Sequence, residues 1–213
     1  MAGGRHALVG VTQRLEQSSS LDGLRSFYTS VAAELDGWSA SELLRSGLVG
    51  HALHPLLTDL PLGFWTAATA LDLRGRATDR GASRWLVGAG LAASAPTALT
   101  GLAELARVDD RAAQRVGALH GSLNGLASTL YVASFVARWR RHHALGVATA
   151  LAGAAVTGVS GYLGGHLSLA RKVGSRNPAY ATDAVGPPDQ WGSPAVTGPA
   201  QPVEPVGGPG AMT

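Results

Sequence analysis

Lysine and arginine vanish from four stretches of this chain, 46–73, 85–106, 116–137 and 144–170, and gather between them. Each stretch is long enough, at about 20 residues, to cross a hydrocarbon core as a helix. A helix of a water-soluble bundle keeps a polar face. Here 116–137 and 144–170 are apolar or small all the way round. The pattern predicts an all-α, four-helix transmembrane bundle with spans near 56–73, 85–106, 116–137 and 144–170.

The segment before residue 50 is mixed and polar. Leu21, Leu24, Arg25, Phe27 and Tyr28 are spaced for one short amphipathic helix, and Trp38 with Leu43 and Leu44 for another. Such helices suit the membrane interface, lying over the entrance to the first span, and suit a solvated tail equally. No signal peptide is expected, because the apolar run 7–11 is too short for one. From 173 onward prolines and glycines dominate, so a disordered tail is expected. The chain therefore divides into a polar segment (1–49), a four-span domain (50–172) and a tail (173–213).

Net charge is +3, with 17 Lys and Arg against 14 Asp and Glu. The basic residues sit at helix ends and in short loops, which is the signature of membrane flanks rather than of a nucleic-acid surface. There is no cysteine, so disulfides, thiolate metal sites and iron–sulfur clusters are excluded. An inner-membrane, multi-pass location follows, with both termini inside, since a long polar N-terminus crosses with difficulty without a signal. The fourth run carries small residues every fourth position (Gly153, Thr157, Gly161, Gly165), which lets backbones approach closely in lipid.

Polar chemistry collects at one end of these runs. His51, His54 and Asp59 open the first, Glu104 closes the second, His120 and Asn124 open the third, and His166 closes the fourth. Because consecutive spans alternate direction, all of them fall at one membrane face. Ionisable groups inside spans are costly and commonly functional. Two readings of the histidines follow. His51, His54, His120 and His166 are candidate ligands of a b-type haem, with His120 paired to His54 or His166. Alternatively His51, His54, Asp59, His120 and His166 hold a transition-metal ion, since nitrogen donors dominate. A third possibility is a structural subunit whose histidines tie helices together. His142 and His143 read as interfacial residues, and no catalytic signature argues for an enzyme.

The motifs Gly50-His51-x-x-His54-Pro55-Leu56-x-x-Asp59-Leu60-Pro61-x-Gly63-x-Trp65-Thr66, His120-x-x-x-Asn124 and Gly164-Gly165-His166-Leu167 resemble the bacterial predicted-membrane-protein domain of unknown function numbered 2231. The resemblance covers about 45–172 and implies a four-span membrane module. Some relatives carry a Rieske iron–sulfur domain, which implies electron transfer and a redox partner protein beside the lipid bilayer. This chain departs in having Ala52 where proline is usual and no cysteine for a cluster.

The four-span reading makes a direct prediction. Reporter fusions at Asp79 and Arg140 should report one side of the membrane, and a fusion at Asp110 the other. Asp79 and Asp110 on the same side would overturn it.

Overall fold

The computed structural model describes residues 7–36 and 52–174. His51, Trp38, Leu43, Leu44 and the expected tail from 175 onward lie outside the described residues. Those described form six α-helices: α1 (Ala7–Gln17), α2 (Asp22–Asp36), α3 (Leu53–Arg74), α4 (Arg80–Leu105), α5 (Arg111–Trp139) and α6 (His143–Gly165). No strand occurs among them. The expected amphipathic helix over 21–28 lies in α2, while α1 was not foreseen.

Local chemistry sets the boundaries. Pro55 occupies the first turn of α3, where a missing N–H costs little. Pro61, further in, leaves the Leu57 carbonyl without its usual helical donor. The Thr97 hydroxyl of α4 supplies one at 3.2 Å, which both satisfies the carbonyl and ties α3 to α4. Gly75 ends α3 in the left-handed conformation (φ 68°), where a side chain would be strained. Asp110 caps α5 by accepting from the N–H groups of Ala112 and Ala113 at 3.2 and 3.0 Å. Beyond α6 the chain widens into a π-helical turn, His166–Ala170, which carries His166.

The four long helices pack as two hairpins, α3 with α4 and α5 with α6, joined along α4–α5 and closed by α3–α6. Their interior is small and polar. Ala68, Ala103, Ala118, Ala127, Ala150, Ser83, Ser134, Ser160, Thr97 and Thr100 are buried, with Trp65 stacked on Tyr131 at the centre (ring centroids 3.9 Å apart). Leu56, Leu60, Leu99, Leu126, Val132, Val136, Leu151 and Val159 face outward. A water-soluble domain places these the other way round; small residues inside and large apolar ones outside is how helices pack in lipid. Trp85 and Trp139, each 67% exposed, stand at the far end beside Arg84, whose guanidinium lies 5.5 Å from the Trp139 ring centre. An aromatic and basic rim of this kind suits a headgroup layer.

Two described helical segments, Ala77–Leu105 and His143–Ala170, are long and apolar enough to cross a membrane. Only 28% and 22% of their most apolar stretches is buried within the protein. The other two expected spans, 56–73 and 116–137, form helices but fall short of the same mark. The reason is their content: α3 and α5 carry the polar groups of the bundle, His54, Asp59 and Asp72 on one, His120, Asn124, Ser134 and Arg138 on the other.

Asp72 and Arg138 form a bidentate pair at 2.9 and 2.5 Å, with side chains 2% and 1% exposed. The Ser83 hydroxyl donates to Asp72 (2.7 Å), and Arg138 also reaches Ser134 and the Gly146 carbonyl, so the pair touches all four long helices. Breaking such a pair leaves a buried charge uncompensated. Asp72→Asn or Arg138→Met should each cost about 3–5 kcal/mol, measured by unfolding in detergent. A loss under about 1 kcal/mol would show that the pair is solvated.

Candidate functional site

His54 stands in the first turn of α3, half-buried and turned into the bundle, and its Nδ1–H donates to the Thr97 carbonyl at 2.9 Å. His120, two and a half turns into α5, does the same across the other hairpin, donating from Nδ1 to the Ser160 carbonyl at 2.8 Å. A carbonyl only accepts, so both rings carry their proton on Nδ1 and present Nε2 as a lone pair. At His120 that lone pair receives the Asn124 amide at 3.0 Å, and the Asn124 oxygen in turn accepts from the Ser160 hydroxyl at 2.7 Å.

The rings lie directly against glycines. A Cβ on Gly101 would fall 2.9 Å from the His54 ring, and one on Gly164 2.9 Å from the His120 ring. The two imidazoles meet edge to face near the bundle axis, centroids 6.2 Å apart and planes at 87°. Of the histidines singled out in the sequence, the structure brings these two together.

The other two described candidates, Asp59 and His166, go elsewhere. Asp59 is exposed on the outside of α3. His166 turns to the N-terminal segment, its Nε2 2.7 Å from a carboxylate oxygen of Glu16. Arg171 grips the same carboxylate at 2.7 and 2.5 Å. Among the described residues no group of three or more His, Cys, Asp or Glu is placed to hold a metal ion. Glu104 lies with Glu16, Arg107, His166 and Arg171 around a cleft of about 680 Å³ at this end of the bundle.

Residues not foreseen complete the picture. Helices α1 and α2 dock beside α5 at the histidine end. Asp22 takes two bonds from Arg115 (2.8 and 2.9 Å), Arg25 reaches Gln114 (3.1 Å), and the Ser122 hydroxyl lies 3.3 Å from that of Tyr28. Helix α1 is turned inside out, with Thr12 and Glu16 buried and Leu8, Val9 and Val11 exposed. The Arg115 bonds hold the Asp22 carboxyl at about 2, well below its ordinary 3.8. At Glu16 burial works to raise the value, and the bonds from Arg171 and His166 outweigh it, leaving the carboxyl below the usual range.

The family model for predicted membrane proteins, DUF2231, matches residues 50–177. The chain belongs to that family. The match takes in both histidine half-bundles and the Asp72–Arg138 pair, and leaves α1 and α2 outside. No curated protein and no solved structure matches this DUF2231 chain.

The N-terminal clamp carries a pH dependence with a definite sign. Both carboxyls are depressed on folding, so their contribution is complete above the unfolded values and fades as pH falls through the folded ones. Amide exchange in α1 and α2 should stay slow at neutral pH and speed up between about pH 4 and about pH 2. Asp22→Asn should remove the part of that dependence due to Asp22. Loss of protection already near pH 6 would contradict the assignment.

Proposed function

We propose that this DUF2231 protein is a multi-pass inner-membrane electron-transfer subunit in which His54 and His120 ligate one b-type haem. The observation that carries the reading is the close approach of the two rings. Haem would take one nitrogen from each of two histidines, which asks that two rings from different helices stand close together. The pair stands at 6.2 Å. On each ring Nδ1–H is held by a carbonyl, which makes Nε2 the nitrogen able to ligate; that of His120 accepts the Asn124 amide.

The number of donors that converge among the described residues favours haem over a bare ion. A porphyrin supplies its own four nitrogens and asks two of the protein, whereas a structural ion takes about four protein donors. Asn124 holds His120 Nε2 in the structure, so ligation by that nitrogen would require the amide to turn away. Haem when bound supplies one-electron chemistry. The protein's part is to fix the two rings on glycines, keep water out with the small-residue packing around them, and set the potential through the carbonyls behind each ring. The outward leucines and valines of all four long helices support four crossings, with His54 and Asp72 of α3 and His120, Ser134 and Arg138 of α5 turned inward. The partners in this reading are the lipid bilayer and a redox protein.

The test is the absorbance of the full chain purified from haem-replete, metal-replete cells. A Soret band with a sharp α-band on reduction is expected. It should vanish in His54→Ala and in His120→Ala, and survive in His166→Ala, whose side chain is committed to Glu16. A colourless preparation overturns the haem reading. If it holds one transition-metal ion per chain, the histidines serve an ion instead. If it holds neither, they bond helices together, and each alanine change should cost only about 0.6–2 kcal/mol.

A further inference from the structure

Three contacts cross the seam between the hairpins near the bundle axis, and in each the partners are 66 residues apart: His54 with His120, Trp65 with Tyr131, and Asp72 with Arg138. The second helices of the hairpins answer with an offset of 63. His54 donates to Thr97 and lies on Gly101; His120 donates to Ser160 and lies on Gly164. A Cβ on Gly90 would collide with the Trp65 ring, and one on Gly153 would press on the Tyr131 ring at 3.1 Å. Ser83 meets Asp72 and Gly146 meets Arg138 by the same offset. The sequences agree: Ala52-Leu53-His54 recurs as Ala118-Leu119-His120, and Leu57, Leu60, Ala67 and Arg74 recur as Leu123, Leu126, Ala133 and Arg140.

When two copies of one unit pack about a two-fold axis, residues on the axis meet their own equivalents. Three such self-meetings along one seam, each backed by equivalent neighbours, are difficult to produce by any other arrangement. Helices α3 and α5 both run from the histidine end to the Asp72–Arg138 end, so the axis lies along the bundle, as in transporters built from parallel repeats.

We infer that 52–105 and 118–168 are two copies of one helical hairpin related by a pseudo-two-fold axis, and that the ligand site is a single on-axis site to which each copy contributes one half. Each half-site is a histidine, a carbonyl that holds its Nδ1–H, and a glycine four residues beyond that carbonyl. Thr97 and Gly101 in one copy, and Ser160 and Gly164 in the other, are thereby positioning residues. The duplication stands on geometry and sequence alone; the single shared site rests on the haem reading above. The copies differ where they must. Identical charges on the axis would repel, and Asp in one copy against Arg in the other turns that position into an ion pair.

The duplication is tested by exchange in the full chain. Asp72→Arg and Arg138→Asp alone each place like charges on the axis and should lower the melting temperature by many degrees. The double exchange should return it to within a few degrees, because the positions are equivalent. Trp65→Tyr with Tyr131→Trp is the gentler exchange and should keep the wild-type melting temperature. Double exchanges as unstable as the single changes overturn the duplication. The shared site is tested by the midpoint potential and the Soret maximum. Gly101→Ala and Gly164→Ala each push one ring and should shift both quantities in the same direction and by similar amounts. Gly158→Ala, where a Cβ meets nothing within 4 Å, should leave them unchanged. A shift in one glycine variant and none in the other overturns the two-half site. Absence of haem overturns the site reading, and the exchange experiments then decide the duplication by themselves.

Discussion

A guanidinium and a carboxylate with almost no solvent contact have to stay paired, and the Asp72–Arg138 pair imposes that condition on the whole bundle. Its partners come from α3, α4, α5 and α6, so the hairpins cannot separate at that end without leaving a bare charge in a medium that solvates it poorly. Small residues around it are what make the approach possible. Gly146 lies against the aliphatic part of Arg138, and Ser83 and Ser134 supply hydroxyls to the charged groups. The same device recurs along the axis: a large or polar group from a first helix rests on a glycine or serine of a second, and meets its counterpart at the seam.

This packing explains why so little bulk apolar material lies inside. Leucine and valine lie on the outer surface, as they do in helices that pack in lipid, and interior cohesion comes from close backbones, hydrogen bonds and one stacked aromatic pair. Prolines fit the same economy. Pro61 releases a carbonyl that Thr97 then uses, so a break in one helix becomes a link between two.

At the histidine end the interior is polar but uncharged, and the charges lie outside it in a second layer. Glu16, Arg171, Asp22 and Arg115 bind α1 and α2 to the bundle end. Their carboxylates are held ionised by guanidinium partners, whereas the two inner imidazoles are held by carbonyls. His166 belongs to the outer layer. Its place in the chain, at the end of an apolar run, is like that of His120 at the start of one, yet the π-helical turn carries it to Glu16 rather than to the axis.

Charge-free runs, small-residue spacing and the clustering of histidines at run ends are properties of consecutive residues, and they were enough for the four long helices of the described residues and for the end of the bundle that carries His54, His120 and His166; the family was legible in the motifs around those histidines, as a resemblance. The recurrence of Ala-Leu-His was also present to be read, as a 66-residue echo. What consecutive residues cannot express is which side of each helix meets which neighbour. That choice is made by packing between helices dozens of residues apart: Gly101 admits the His54 ring, Gly164 the His120 ring, and Glu16, in a helix not expected at all, draws His166 away. Asp72 and Arg138 stand 66 residues apart at the ends of two separate runs, and nothing in the residues around either one names the other. Only the assembled bundle makes them partners, because burial creates the need for a counter-charge and the two-fold arrangement of the hairpins decides where it stands.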